Sequence, residues 1–98
     1  MNHYMIELKL PNGLTEEFVS LIPEQRTIAD KMMARGAILS YSLAVDRSKL
    51  WIIMSGPSEE EVLDDLYRLP LTRFMDVHIQ ELSFHNAGSV LLSSVSMN

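Results

Sequence analysis

The chain has 98 residues, a net charge of -5 and 47% hydrophobic residues, and it contains seven Met but no Cys. That length makes one domain, and the lack of Cys excludes disulfides, zinc–thiolate sites and thiol nucleophiles. Its eight basic residues form no run, which argues against nucleic acid and anionic membrane partners, both of which need clustered positive charge.

Tyr4, Ile6, Leu8 and Leu10 alternate with Met5, Glu7 and Lys9. Period two predicts a strand with one strongly apolar face, ended by the turn chemistry of Pro11-Asn12-Gly13. Thr15 then precedes Glu16 and Glu17 as a helix N-cap with acids in the first turn. Phe18, Leu21, Ile22, Ile28, Ala29 and Met32 continue at helical spacing up to the stop signal Arg35-Gly36. Pro23 lies within that stripe, so a kink or local break is expected near residues 21–23.

Residues 37–45 alternate again, with Leu39, Tyr41, Leu43 and Val45 on one side and Ile38, Ser40, Ser42 and Ala44 on the other. Asp46-Arg47-Ser48-Lys49 reads as a short polar turn, and residues 50–55, rich in Ile and Trp, as the returning strand of a hairpin. Gly56-Pro57 breaks the chain. Ser58 and Glu61 have capping-box spacing, and Val62, Leu63 and Leu66 form the stripe of a short helix that Leu69-Pro70-Leu71 ends. Met75, Val77 and Ile79 alternate with Asp76, His78 and Gln80 in a last strand. Residues 50–54, the longest apolar run, are too few to span a bilayer. Met1-Asn2-His3-Tyr4 lacks the features of a signal peptide, so a cytoplasmic location is the expectation.

The order strand, helix, strand, strand, helix, strand is the βαββαβ pattern of α+β ferredoxin-like folds, with a four-stranded antiparallel sheet. Both helices then cover one face. The other face, with Ser40, Ser42, Trp51 and Ile53, needs a cover, and pairing two sheets into a dimeric α/β barrel supplies one. The protein's main expected partner is therefore itself, as a homodimer or larger homo-oligomer. The domain is expected to span residues 1–86. A tail, residues 87–98, carries Val90, Leu91, Leu92 and Val95 and is expected to pack on a neighbouring subunit; a disordered terminus is the alternative.

The segment Leu69-Pro70-Leu71-Thr72-Arg73-Phe74-Met75-Asp76, followed by the alternating strand, Leu82 and then His85, resembles the C-terminal signature of muconolactone isomerases. Lys9-Leu10-Pro11 at the end of the first strand, a long helix ending in Gly36, and a hairpin extend the resemblance over roughly residues 4–86. It implies the dimeric α/β-barrel superfamily and a small-molecule site partly covered by a neighbouring subunit. The family carries Trp and Arg early in its second strand, where this chain has Ile38-Leu39-Ser40-Tyr41-Ser42-Leu43. It also carries an acidic pair where this chain has Glu24-Gln25.

Isomerisation of the muconolactone type is a proton shift through an enolate, which needs a base, donors for the oxyanion and a dry site. Glu24 is the candidate base on the first helix, and His85 matches a family His. Gln25, Arg26 and Tyr41 are candidate ligand-binding groups, with Arg26 suited to a carboxylate; Asp76 lies in the matched triplet. Each has a structural alternative. Gln25 can satisfy a backbone group freed by Pro23, Glu24 and Arg26 can be solvated, and His85 can cap its strand. Asp76 can hold the loop around Arg73, and Tyr41 and Trp51 can stack in a pocket or pack in the core. Asp76, His78 and Gln80 share a strand face but make a weak metal signal, and neither metal nor cofactor is expected. The expected function is a proton-shift isomerase acting on a small unsaturated lactone or carboxylate, with weak or absent activity on muconolactone itself. Alternatives are a non-catalytic small-ligand-binding oligomer and a cofactor-free or haem-dependent monooxygenase of the same superfamily.

Overall fold

The computed structural model describes residues 1–87. The elements run β1 (Asn2–Lys9), α1 (Glu16–Ser20), α2 (Ile22–Ala34), β2 (Ile38–Leu43), β3 (Lys49–Gly56), α3 (Glu59–Leu66) and β4 (Asp76–Leu82), with a 3-10 turn at Thr72–Phe74. The strands form one antiparallel sheet in the order β2-β3-β1-β4. This is the ferredoxin-like arrangement, in which two central strands are flanked by the hairpin partner on one edge and the last strand on the other.

Register decides which side chains share a face. Tyr4, Ile6 and Leu8 lie opposite Met54, Ile52 and Leu50 on one side and Glu81, Ile79 and Val77 on the other. The first three are buried together with Ile52 and Met54, against Ala29 and Met32 of α2 and Val62 and Leu66 of α3. Both longer helices therefore cover the same face, and its burial is the main apolar stabilisation of the fold. Met5, Glu7 and Lys9 point to the opposite face, where Met5 is exposed. There the Trp51 indole donates to Glu7 Oε1 at 3.2 Å, and Lys49 Nζ lies 3.7 Å from the same oxygen.

The long first helix is two helices. α1 is capped by Thr15, whose hydroxyl accepts from the Phe18 N–H at 3.1 Å. Leu21 ends α1 and caps α2, so Pro23 falls within the first two residues of α2. No intrahelical N–H is needed there, and Pro is well tolerated. α2 ends in a Schellman motif. Gly36 takes φ 82, its N–H reaches Met33 O, and the Ala37 N–H reaches Met32 O. α3 starts with the capping box, with Ser58 accepting from the Glu61 N–H and bonding the Glu61 carboxylate. A Cβ at Gly56 would sit 2.6 Å from Val62 Cγ2, so glycine lets β3 and α3 approach closely.

β2 departs from simple alternation. Its pairing with β3 shifts between Ile38 and Ser40, leaving an irregularity around Leu39. As a result Ile38 joins Tyr41 and Leu43 on the helix-facing side, opposite Met54, Ile52 and Leu50. The even alternation expected from sequence had placed Ile38 with Ser40 and Ser42. A bulge adds one residue to one strand and inverts the faces beyond it. Among the described residues no helix is long and apolar enough to cross a membrane. The tail expectation falls, apart from Ala87, outside the described residues.

Candidate functional site

The helix-covered face of the sheet is filled at one end and hollow at the other. Toward Leu10 and the β2–β3 hairpin, a cavity of about 460 Å³ separates the helices from the sheet. Its floor includes Ile38, Leu50 and Ile52; its roof includes Phe18 of α1 and Ile22 and Ala29 of α2. Tyr41 and Leu43 point to the helix side but are 45% and 47% exposed, because no helix closes over them. The size and apolar walls suit a small organic molecule.

The roof is held by contacts distant in sequence. Phe18 meets Phe74 edge-on at 5.5 Å, and the Arg73 guanidinium lies 4.9 Å from the Phe74 ring. Arg73 also pairs with Glu17 at 3.2 Å. The 3-10 turn thus secures α1. Thr72, the buried polar residue beside it, donates its hydroxyl to Leu66 O at 2.9 Å and ties the turn to the end of α3.

Four polar side chains line the cavity: Gln25, Arg26, Tyr41 and Arg47. Gln25 is oriented by its Oε1, which accepts from the Leu71 N–H at 3.0 Å. Its partner is therefore the backbone after Pro70, and no group freed by Pro23. With the oxygen engaged, the carboxamide nitrogen remains as a donor. A guanidinium can only donate, and the Tyr41 hydroxyl has a proton to give. No Asp, Glu or His is among the lining residues. Each of the four can donate, which makes the polar lining donor-rich within an apolar shell, in a chain of net charge -5.

Arg47 is the member that sequence reading missed. It sits in the polar turn of the hairpin with φ 62, a left-handed conformation uncommon outside glycine and costing of order 1 kcal/mol or more. The turn is fixed on either side of it. Asp46 Oδ1 accepts from the Ser48 N–H at 3.0 Å and from the Ser48 hydroxyl at 2.7 Å, and the Arg47 N–H reaches Ala44 O at 2.9 Å. The hydrogen bonds from Ser48 hold the Asp46 carboxyl below its ordinary value. A polar tetrapeptide reads as a solvated turn; only the non-local pairing of β2 with β3 reveals that its tip borders a cavity.

The other candidates lie elsewhere. Glu24 is exposed on α2, one residue before Gln25, and is not part of the cavity lining. Asp76 is exposed on the opposite face of the sheet, paired in register with Lys9. His85 follows β4, its ring 6.2 Å from that of His3. His3 is the second residue of β1, so His85 lies roughly 20 Å along the strand direction from the cavity end at Leu10. Trp51 and Tyr41 are on opposite faces and do not stack, because Tyr41 pairs with Ile52 and Trp51 with Ser42. Among the described residues no group of three or more His, Cys, Asp or Glu is placed to hold a metal.

Comparison with known proteins places this geometry in context. Among solved structures the chain is similar to a crystal structure of muconolactone isomerase, with a TM-score of 0.70 and 20% identity, covering 88% of this chain and 93% of that one. An Agrobacterium tumefaciens protein follows with a TM-score of 0.52 and 13% identity, covering 85% of this chain and 92% of that one. A Deinococcus radiodurans protein named for antibiotic biosynthesis monooxygenases has a TM-score of 0.51 and 15% identity, over 92% and 98% of the two chains. At these identities the structures share the fold. No curated protein matches the sequence. The muconolactone delta-isomerase family matches residues 3–87. The chain belongs to the muconolactone delta-isomerase family.

Proposed function

We propose that the protein binds a small unsaturated lactone or carboxylate in the cavity and works on it by a proton shift of the isomerase type. The observation that carries this reading is a donor-rich polar lining without a carboxylate, set in an apolar shell. Such a lining favours a ligand with oxygen acceptors and an apolar body. Enolate formation would move negative charge onto an oxygen, and preorganised donors lower the barrier to that step. The Gln25 carboxamide and the Tyr41 hydroxyl are the candidate oxyanion donors, and Arg26 is the candidate carboxylate anchor. Glu24 is the candidate base, since it is the carboxylate adjacent to the cavity-lining turn of α2. Asp76, on the opposite face of the sheet, and His85, at its far end, have weaker support as ligand or proton-transfer groups.

A second reading, non-catalytic binding of the same ligand class, is favoured by one observation: neither a carboxylate nor an imidazole lines the cavity. The haem-dependent form of the monooxygenase reading has less support, because haem ligation by His would need a His in the lining. We also propose that the protein is a homo-oligomer paired through the uncovered sheet face. Such interfaces usually bury on the order of 2,000 Å² in total, and sedimentation as a stable monomer at micromolar concentration would contradict it.

The test combines binding and turnover. Muconolactone, trans,trans-hexa-2,4-dienoate and trans,trans-hexa-2,4-dienedioate should raise the melting temperature by about 5 °C near saturation. Turnover of muconolactone should fall far below an ordinary enzyme rate of roughly 10 per second and vanish in Glu24→Gln. Binding without turnover selects the non-catalytic reading, and no binding by any of the three overturns both.

A further inference from the structure

The geometry points to a ligand with two anionic groups, and assigns Arg47 as the residue that selects for the second. The inference rests on the ligand-binding reading above and adds the ligand's charge and a specificity residue on the hairpin tip.

Arg26 and Arg47 reach the same cavity from different elements, Arg26 from α2 above the sheet and Arg47 from the turn between β2 and β3. Among the described residues Arg35, Lys49, Arg68 and Arg73 have carboxylate partners, whereas Lys9, Arg26, Lys31 and Arg47 have none, and of these four Arg26 and Arg47 line the cavity. The chain has 13 acidic residues against eight basic ones, so partners are plentiful elsewhere on the surface. The lining contains no acid to neutralise the two arginines. Two like charges sharing a mouth with apolar walls repel each other, and a monoanion cancels only one of them. A dianion cancels both, and each guanidinium can take a carboxylate in paired hydrogen bonds.

The backbone at Arg47 supports a role beyond a solvated turn. Its left-handed φ of 62 would be relieved by glycine or asparagine. Instead a long cationic side chain occupies the position, on a turn fixed by Asp46 and Ser48. The turn therefore presents the guanidinium from a defined backbone position. Leu50 and Ile52 in the floor of the same cavity offer apolar contact to a short unsaturated carbon chain between two carboxylates.

The matched probes are trans,trans-hexa-2,4-dienedioate and trans,trans-hexa-2,4-dienoate, which share a six-carbon diene and differ in one carboxylate. Calorimetric titration of the full chain should find the dicarboxylate bound about tenfold more tightly, or about 1.4 kcal/mol. That preference should shrink with added salt, since exposed charge pairs are screened. Arg47→Gln should reduce the preference to within about twofold, with the dicarboxylate losing more affinity than the monocarboxylate. Arg47→Lys should restore part of it. Arg26→Gln should weaken both acids. Equal affinity of the two acids for the natural chain overturns the dianion proposal and leaves the ligand-binding reading intact. A preference that survives Arg47→Gln removes Arg47 as its source. Failure of both acids to bind overturns the dianion proposal, and failure of muconolactone to bind as well overturns the reading beneath it.

Discussion

The two ends of the helix-covered sheet face are built from the same alternating strands but end in different states. At the Tyr4–Met54 end, Met32 of α2 and Val62 and Leu66 of α3 fill the space, and both strand residues are essentially inaccessible. At the Leu10–Leu50 end, the same alternation meets α1 and the first turns of α2, and a cavity of about 460 Å³ remains. Alternation therefore says which way a side chain points, and the helices above decide whether anything meets it. The filled end supplies stability, and the hollow end, with its donors, supplies the candidate function.

The largest expected effect is at the filled end. Leu66→Ala removes a fully buried side chain and should cost about 2–5 kcal/mol, measured by denaturant unfolding. Leu43→Ala at the hollow end, where the side chain is 47% exposed, should cost less than about 1 kcal/mol. Equal losses would mean that the two ends are packed alike. Next comes Gln25, which belongs to both ends of the argument. Gln25→Leu strips the Leu71 N–H of its acceptor and should cost about 1–3 kcal/mol. Gln25→Glu keeps an acceptor but replaces the donor nitrogen with a charged oxygen. It should hold most of the stability while abolishing binding of an anionic acid. If both variants lose stability and binding in parallel, Gln25 is structural only.

The smallest effect concerns the hairpin turn. Asp46 is held below its ordinary carboxylate value by the hydrogen bonds from Ser48. A depressed folded-state pKa contributes stability above the unfolded value and loses it as pH falls through the folded one. The turn should therefore be intact at neutral pH and loosen in acid below the usual carboxylate range. Asp46→Asn should leave global stability nearly unchanged at pH 7, remove this acid dependence, and blunt the preference for a dicarboxylate by freeing Arg47.

Much of the fold was legible because it rests on local chemistry. The alternation of Tyr4, Ile6, Leu8 and Leu10, the Thr15 and Ser58 caps and the Gly36 stop all act within a few residues. The break before Pro23 was also visible, since proline constrains only its own neighbourhood. The face of Ile38 was not, because a bulge is set by pairing across two strands. The site was legible in part. Gln25, Arg26 and Tyr41 could be picked out as polar groups beside apolar stripes, and all three line the cavity. Gln25's partner lies 46 residues away, beyond any helical period. Arg47 was hidden inside a turn signal, and its approach to the cavity depends on the hairpin pairing and a positive φ.

The central claim is that an acceptor-rich ligand occupies the hollow end of the helix-covered face. The most direct measurement is a two-dimensional NMR titration of isotope-labelled protein with trans,trans-hexa-2,4-dienedioate. The account predicts saturable shifts of the Gln25 side-chain amide, the Arg47 Nε–H and the Leu71 backbone N–H, with the Trp51 indole on the opposite face unmoved. Shifts centred on Trp51 and Glu7, or no saturable shift at any of these groups, would contradict it.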